Sequence, residues 1–494
     1  MLTRREFCNT LTGATAVALL GPSGAAAEVN VQAGKTEPEP YVDSQTLLQR
    51  QQAFLDLRFG MFLHFNMATF QNREWGDPHG PMELFDPDAL DTDGWAKAAL
   101  SANMRYGCLT AKHHDGFCLW PTKTGADGIL STPRKIDVVK AYTDSFRKHG
   151  LTVGLYFSIL DLRGDIRHFN VTPEKIARIK AQLTELLTNY GKIDLLIFDG
   201  WDAPWSRLSY EEVPFNEIYA LIKRLQPGCL VSELNASQYP PSALFYSDIK
   251  AFEQNAGQHL PGQSTIPAQS CVTLTNGWFW KNGDDNAELK PAETIVGKWL
   301  VPQNKLHCNL ILNAPPDRHG RLTPNVLARL EEIGRMWQNS GPAEMIDPSI
   351  VITTLNLARG RPIRASDSAD ATGPDQANDG NFSSSWCLRE DRSEGWLEVD
   401  LGTNVSFNTL VLSEPISPGR HYAATRIAKY RFEAFDGQSW HEIAAGDSPQ
   451  PVRMHSIPRT QAGKVRVVLW AQAGAPCVSE IGVYDEPARE VGAL

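Results

Sequence analysis

Ile193-Asp194-Leu195-Leu196-Ile197-Phe198-Asp199-Gly200 is the stretch on which the fold turns. Leu195 to Phe198 leave no polar position for a solvent-facing side. A strand built from them is covered on both faces, as in parallel sheets packed between helices. The carboxylate of Asp199 follows at once, where such a strand emerges from its cover. Gly200 lets the chain turn and a ligand approach closely. Asp also starts helices as an N-cap, so position alone leaves two readings. Trp201 and Trp205 favour a sugar site, because aromatic faces stack on the apolar faces of pyranose rings.

Working outward, short apolar runs recur at residues 59–65, 106–111, 151–158, 229–232, 244–248, 271–274 and 308–312. Amphipathic stretches lie between them. In residues 173–189, Ile176, Ile179, Leu183, Leu186 and Leu187 fall on one helical face. With the opening stretch this makes eight strand–helix units, the pattern of a (β/α)8 barrel, predicted over residues 51–345. The rhythm stops near Met336-Trp337, and Pro342 and Pro348 flank a connector. Beyond it, short or alternating apolar runs at 396–401, 409–412, 430–435 and 465–470 are separated by turns such as Asp379-Gly380 and Asp436-Gly437. They predict a C-terminal antiparallel β-sandwich over residues 346–488.

A chain of 494 residues accommodates two such domains. Its net charge of −10 argues against nucleic acid and anionic membrane as partners, since both need a basic face. At the N-terminus, Arg4-Arg5-Glu6-Phe7 precedes an apolar run at 14–20 and then Ala25-Ala26-Ala27. This reads as a cleavable signal over residues 1–27 of twin-arginine type, or else a general secretory signal. Either way the mature protein is expected to be periplasmic or secreted. Residues 28–50 read as a leader or linker. No later apolar run is long enough to span a membrane. Cys8 precedes the apolar run. The other cysteines are Cys108, Cys118, Cys229, Cys271, Cys308, Cys387 and Cys477. None form a CxxC pair, so no zinc site is expected. Several sit in apolar runs as buried thiols, and Cys387 with Cys477 could close a loop after export.

In a barrel, functional groups gather at the C-terminal ends of the strands. His64, then His113, His114 and Asp115, then Tyr156 and Ser158, then Asp199 and Glu253 all end or follow apolar runs. A single histidine there is more often a structural hydrogen-bonder. Several polar groups from different strands converging on one rim point to a site. There is no metal-binding histidine pair at i,i+4, no phosphate loop and no G-x-S-x-G elbow. Carboxylates with aromatics and no implied cofactor or metal point to glycoside hydrolysis.

The motifs resemble glycoside hydrolase family 29, the α-L-fucosidases, over roughly residues 55–340. The resemblance rests on Arg58-Phe59-Gly60-Met61-Phe62-Leu63-His64, Glu74-Trp75-Gly76-Asp77, Lys112-His113-His114-Asp115-Gly116-Phe117, Gly154-Leu155-Tyr156-Phe157-Ser158, Phe198-Asp199-Gly200 and Asn313-Ala314-Pro315-Pro316-Asp317. The Glu-Trp-Gly-Asp and Pro-Pro-Asp segments are closer to the branch acting on α-1,3/1,4-linked fucose. The resemblance implies a retaining exo-fucosidase acting on fucosylated glycans without cofactor. It implies Asp199 as nucleophile, His64, His113 and His114 on the sugar hydroxyls, and Glu74, Trp75 and Tyr156 in the pocket. From the run Gly277-Trp278-Phe279-Trp280, Trp280 is expected at the substrate.

One departure concerns the general acid/base. The branch places it in a Pro-Ala-Glu segment, which aligns here with Pro267-Ala268-Gln269, and an amide cannot serve. Glu253 is the favoured substitute and Glu233 the alternative. A third account is a glycan-binding protein with impaired hydrolysis. An α-L-galactosidase is the alternative within the same chemistry, because L-galactose is fucose with a hydroxyl on C6.

Residues 355–485 resemble a discoidin-type (coagulation factor 5/8 type C) domain through Asn356-Leu357-Ala358, Ala377-Asn378-Asp379-Gly380 and Trp396-Leu397-Glu398-Val399-Asp400-Leu401-Gly402. Trp386 and Tyr422 are its candidates for stacking on glycans. The other reading is a docking domain that only buttresses the barrel.

Overall fold

The computed structural model describes residues 44–485 except 202, 204, 209–211, 235–246, 261, 263, 348–355, 381–383, 416–425, 448–451 and 473. The predicted signal, residues 28–43 of the leader, Leu244 to Tyr246 and Tyr422 lie outside the described residues. Among the described residues, no helix is long and apolar enough to cross a membrane.

Eight parallel strands close into a barrel in chain order: β1 (Phe59–Leu63), β2 (Tyr106–Lys112), β3 (Thr152–Ser158), β4 (Leu195–Asp199), β5 (Leu230–Glu233), β6 (Ile249–Glu253), β7 (Ala268–Thr273) and β8 (Cys308–Asn313). β8 returns to pair with β1, Leu310 opposite Phe59. Helices Thr92–Ser101, Val138–Lys148 and Pro173–Asn189 follow β1, β2 and β3. Their first turns are capped by the side chains of Asp91, Asp137 and Thr172.

Two strands lie elsewhere than the apolar runs predict. β6 is Ile249–Glu253 rather than residues 244–248, because the half-exposed Lys250 breaks its apolar reading. β7 begins at Ala268, ahead of the run at 271–274, because Gln269 and Ser270 are polar yet buried. Each has a partner: the Gln269 amide donates to Ser232 Oγ (3.0 Å), and Ser270 Oγ accepts from Gln254 (2.8 Å). Between β6 and β7 the described residues hold a single 3-10 turn, Gln254–Ala256, instead of the expected helix.

Strand alternation splits the apolar residues into two concentric sets. Leu63, Leu109, Leu155, Leu196, Phe198, Val231, Val272 and Leu310 face outward and pack with Trp95, Val139, Phe146, Ile179 and Leu183 of the helices. Phe62, Tyr106, Cys108, Tyr156, Leu195, Ile197, Leu230, Ile249, Ala251, Cys271 and Ile311 face inward and fill the barrel. Phe54 and Leu55, from the helix Ser44–Leu55, close the floor with them. The Tyr106 ring lies beside Gly60, where a Cβ would come within 2.4 Å of it. Any larger residue at 60 would displace the ring. Each fully buried large side chain contributes about 1.5–3 kcal/mol, so this double layer makes the strand ends a rigid mount.

The C-terminal region is an antiparallel β-sandwich. Its main sheet runs β13 (Trp440–Gly446), β12 (Ile427–Phe435), β14 (Val452–Ala471), β11 (Glu394–Ser413), β16 (Glu480–Tyr484), with β9 (Ile363–Ala365) added on β11. β10 (Trp386–Cys387) pairs with β15 (Cys477–Val478), and a disulfide, Cys387–Cys477, joins them. Trp386 does not serve as a surface aromatic. It is wholly buried in this core, with its indole donating to Ser368 Oγ (2.9 Å).

Candidate active site

Alternation carries the inward face upward to the mouth. On β3 it runs through Tyr156 to Ser158, on β4 through Ile197 to Asp199, and on β6 through Ala251 to Glu253. The pocket there holds about 490 Å3, open mouth included, and is lined by Phe62, His64, Glu74, Trp75, His113, His114, Tyr156, Asp199, Trp205, Leu234, Glu253 and Trp278. Of the barrel residues proposed from the sequence for catalysis or substrate binding, only Trp280 and the alternative acid Glu233 are not among them.

Donors hold both oxygens of Asp199, and an imidazole lies beside it. Tyr156 Oη donates to its Oδ2 (2.8 Å), the Gly200 amide donates to its Oδ1 (2.6 Å), and His114 Nε2 lies 3.5 Å from Oδ2. Gly200 is required there. Its φ is +86°, and a Cβ would sit 2.9 Å from the Leu160 amide. Contact with the carboxylate and deep burial together hold the Tyr156 phenol well above its ordinary range, burial being the larger cause.

The hydrogen-bond chains assign the histidine tautomers. Ser158 Oγ donates to the Leu160 carbonyl (2.7 Å), so it accepts from His114 Nδ1 (2.7 Å). Asn313 donates its amide to the Trp278 carbonyl (2.7 Å), so its oxygen accepts from His64 Nδ1 (2.8 Å). Both rings therefore turn an Nε2 lone pair away from these partners. Burial holds both imidazoles neutral: His64 is pushed down to about 3, and His114 is lowered despite the pull of Asp199. His113 is also driven down, by burial and then by its two imidazole neighbours, and stacks on Tyr156 at 5.7 Å.

Glu253 lies on the same cavity. Burial, then the nearby charge of Asp199, raises its carboxyl to about 7, against a smaller opposing pull from a Trp278 hydrogen bond. Glu233 is differently placed. It pairs in register with outward-facing Phe198 and is absent from the pocket lining. Gln269 is also off the rim. It sits beside Ala251 near the start of β7, one inward layer below Glu253. Register sets the depth of Gln269 below the mouth.

Of the run Trp278-Phe279-Trp280, Trp278 and not Trp280 lines the pocket. Its backbone amide donates to Glu74 Oε1, whose other oxygen meets Lys281 Nζ at 2.6 Å. Trp280 turns away, its indole donating to Asp285 (2.9 Å) and its ring under Arg318. Three aromatics in a row carry no sequence signal for which one faces inward. Trp278 was not singled out as a binding residue for that reason, and Phe62 and Leu234 are apolar residues with nothing to mark them apart from the core.

Behind the histidines, Lys112 is wholly buried against Asp161 (3.3 Å) and Gln182 (3.0 Å). Arg163 reaches the carbonyls of Asp77 (3.3 Å) and Gly80 (3.2 Å), bracing the loop that carries Glu74 and Trp75. Among the described residues no group of three or more His, Cys, Asp or Glu is arranged to hold a metal ion.

Comparison with known proteins places this geometry. The Alpha-L-fucosidase family matches residues 68–342, and the F5/8 type C domain matches residues 362–481. Alpha-L-fucosidase 1 of Arabidopsis thaliana is 28% identical over 455 residues, covering 86% of this chain and 84% of its own. The fold is shared with alpha-L-fucosidase isoenzyme 1 from Paenibacillus thiaminolyticus, at a TM-score of 0.52 and 23% identity, over 87% of this chain and 100% of that one. It is shared too with a Ruminococcus gnavus GH29 fucosidase mutant in complex with fucose, at a TM-score of 0.50 and 20% identity, over 89% and 94%. The chain belongs to the alpha-L-fucosidase family of glycoside hydrolases, family 29, and carries a discoidin-type domain behind its barrel.

Proposed function

We propose that the protein is a retaining exo-α-L-fucosidase that releases terminal L-fucose through a covalent fucosyl–Asp199 intermediate. The observation that carries this reading is the pairing of Asp199 with Glu253 on one pocket, with Glu253 raised to about 7 and so able to hold a proton near neutrality. In the first step an Asp199 oxygen bonds to C1 as the glycosidic C1–O bond breaks. Glu253 gives its proton to the departing oxygen. In the second step Glu253, now a carboxylate, takes a proton from water. The water oxygen bonds to C1, and the C1–Asp199 bond breaks. The Nε2 lone pairs of His64 and His114 accept from sugar hydroxyls. Phe62, Trp278 and Leu234 favour the methyl group of a 6-deoxy sugar over the hydroxymethyl of L-galactose.

Gln269 below the rim and Glu253 on the pocket favour hydrolysis over a non-hydrolytic binder. Purified protein should hydrolyse aryl α-L-fucoside at least tenfold faster than aryl α-L-galactoside, roughly the weight of one mismatched group in a pocket. The reverse preference would transfer the assignment to the galactosidase. α-1,3/1,4-linked trisaccharides test the branch assignment in the same panel. Export through the signal at residues 1–27 to the periplasm or medium is part of the proposal, and the Cys387–Cys477 disulfide suits that compartment. N-terminal sequencing of the secreted protein, expected to begin at Glu28, tests it.

A further inference from the structure

The polar floor of the pocket is deeply buried: Tyr156 is 1% exposed, His64 4% and Asp199 9%. The mouth is different. Trp75 is 41% exposed and Trp205 46%. They meet edge to face, centroids 4.9 Å apart at 81°, and each ring lies 4.7 Å from the His114 ring. Indole is the largest apolar side chain, and leaving two of them open and in contact is costly unless something covers them. The other exposed large hydrophobics among the described residues are aliphatic or sulfur-bearing and lie away from this pocket.

The two tryptophans that follow Asp199 have divided their work. Trp201 is wholly buried, its indole donating to the Val213 carbonyl (3.1 Å), and it bridges to Leu208. The Ser206 and Arg207 amides both return to the Ala203 carbonyl, at 3.1 and 2.7 Å. Trp205 is thus presented from an anchored loop, a few residues beyond the nucleophile.

We propose that Trp205, set against Trp75, is the platform on which the leaving sugar stacks. This rests on the fucosidase reading. A glycosidic bond broken at Asp199 directs its leaving group out through the mouth, because the buried floor is already filled. The surface met there is an open indole face continuous with the pocket, and the apolar C–H face of a pyranose covers it.

The test compares Trp205→Ala and Trp205→Phe with the unaltered enzyme on a fucosyl disaccharide and on α-L-fucosyl fluoride, whose leaving group has no ring to stack. In Trp205→Ala the ratio of kcat/KM for disaccharide to that for fluoride should fall about tenfold, through a raised KM, and Trp205→Phe should restore most of it. Activity on the fluoride reports that each variant has folded. An unchanged ratio with both substrates still turned over would overturn the platform alone. Failure of the unaltered enzyme on the fluoride would remove the fucosidase reading and the platform with it.

Discussion

The floor and the mouth of the barrel are built by the same strands with the same inward parity, yet one is sealed packing and the other is chemistry. β6 and β7 show the difference most directly. Ala251 pairs with Gln269 in one layer, and Glu253 with Cys271 in the next, about 7 Å higher for two residues of strand. In the lower layer the polar side chain is wholly buried and fixed by Ser232. In the upper layer the carboxyl faces an open cavity and a second carboxylate. Facing inward is therefore not enough to make a catalytic group. Depth decides whether a polar residue meets substrate or only its neighbours.

The largest effect belongs to the mouth. Asp199→Ala should lower kcat by roughly 10^4-fold or more, and azide should restore turnover with formation of a fucosyl azide. Turnover without azide would move the nucleophile elsewhere. Glu253→Gln should cost about 10^2–10^4-fold on disaccharides and far less on aryl fucosides with good leaving groups. Its pH signature has a definite sign. The acid form of Glu253 is lost as pH rises through about 7, so kcat/KM on disaccharides should fall across that range. The variant should lose that limb. A limb that persists in Glu253→Gln would assign the proton to another group.

Floor substitutions sharpen the contrast because they should act on stability rather than turnover. Gln269→Glu puts a carboxyl where no solvent reaches and should destabilise the fold by about 1–3 kcal/mol in denaturant titration, with no gain in activity. A gain would show that depth has been misjudged. The smallest effect is at Tyr106, whose buried hydroxyl has no hydrogen-bond partner among the described residues. Tyr106→Phe should be neutral or stabilising by up to about 1 kcal/mol, and a loss larger than that would reveal a hidden partner.

Much of the architecture was legible because buried parallel strands leave few polar positions. Leu195 to Phe198 and residues 308–312 announce themselves. Strands that carry paired polar residues do not, which is why Lys250 hid β6 and Gln269 hid the start of β7. The site was legible where a polar residue ends an apolar run, as at His64, Tyr156 and Asp199. It was illegible where only three-dimensional direction separates candidates. Glu233 ends its strand as Asp199 does, but one step of alternation turns it outward. Trp278 and Trp280 differ by a turn after Gly277 that composition does not encode. Trp386 looks like a loop aromatic until its strand pairing places it in the sandwich core.

The two anchored imidazoles have a consequence for the surroundings the enzyme tolerates. Ser158 and Asn313 hold each ring by its inner nitrogen, and burial favours leaving the outer one unprotonated. His64 would not take up a proton until acidity reached about pH 3. A drop from neutral to mildly sour conditions, which would charge an ordinary histidine, leaves His64 the acceptor that the proposed function requires of it.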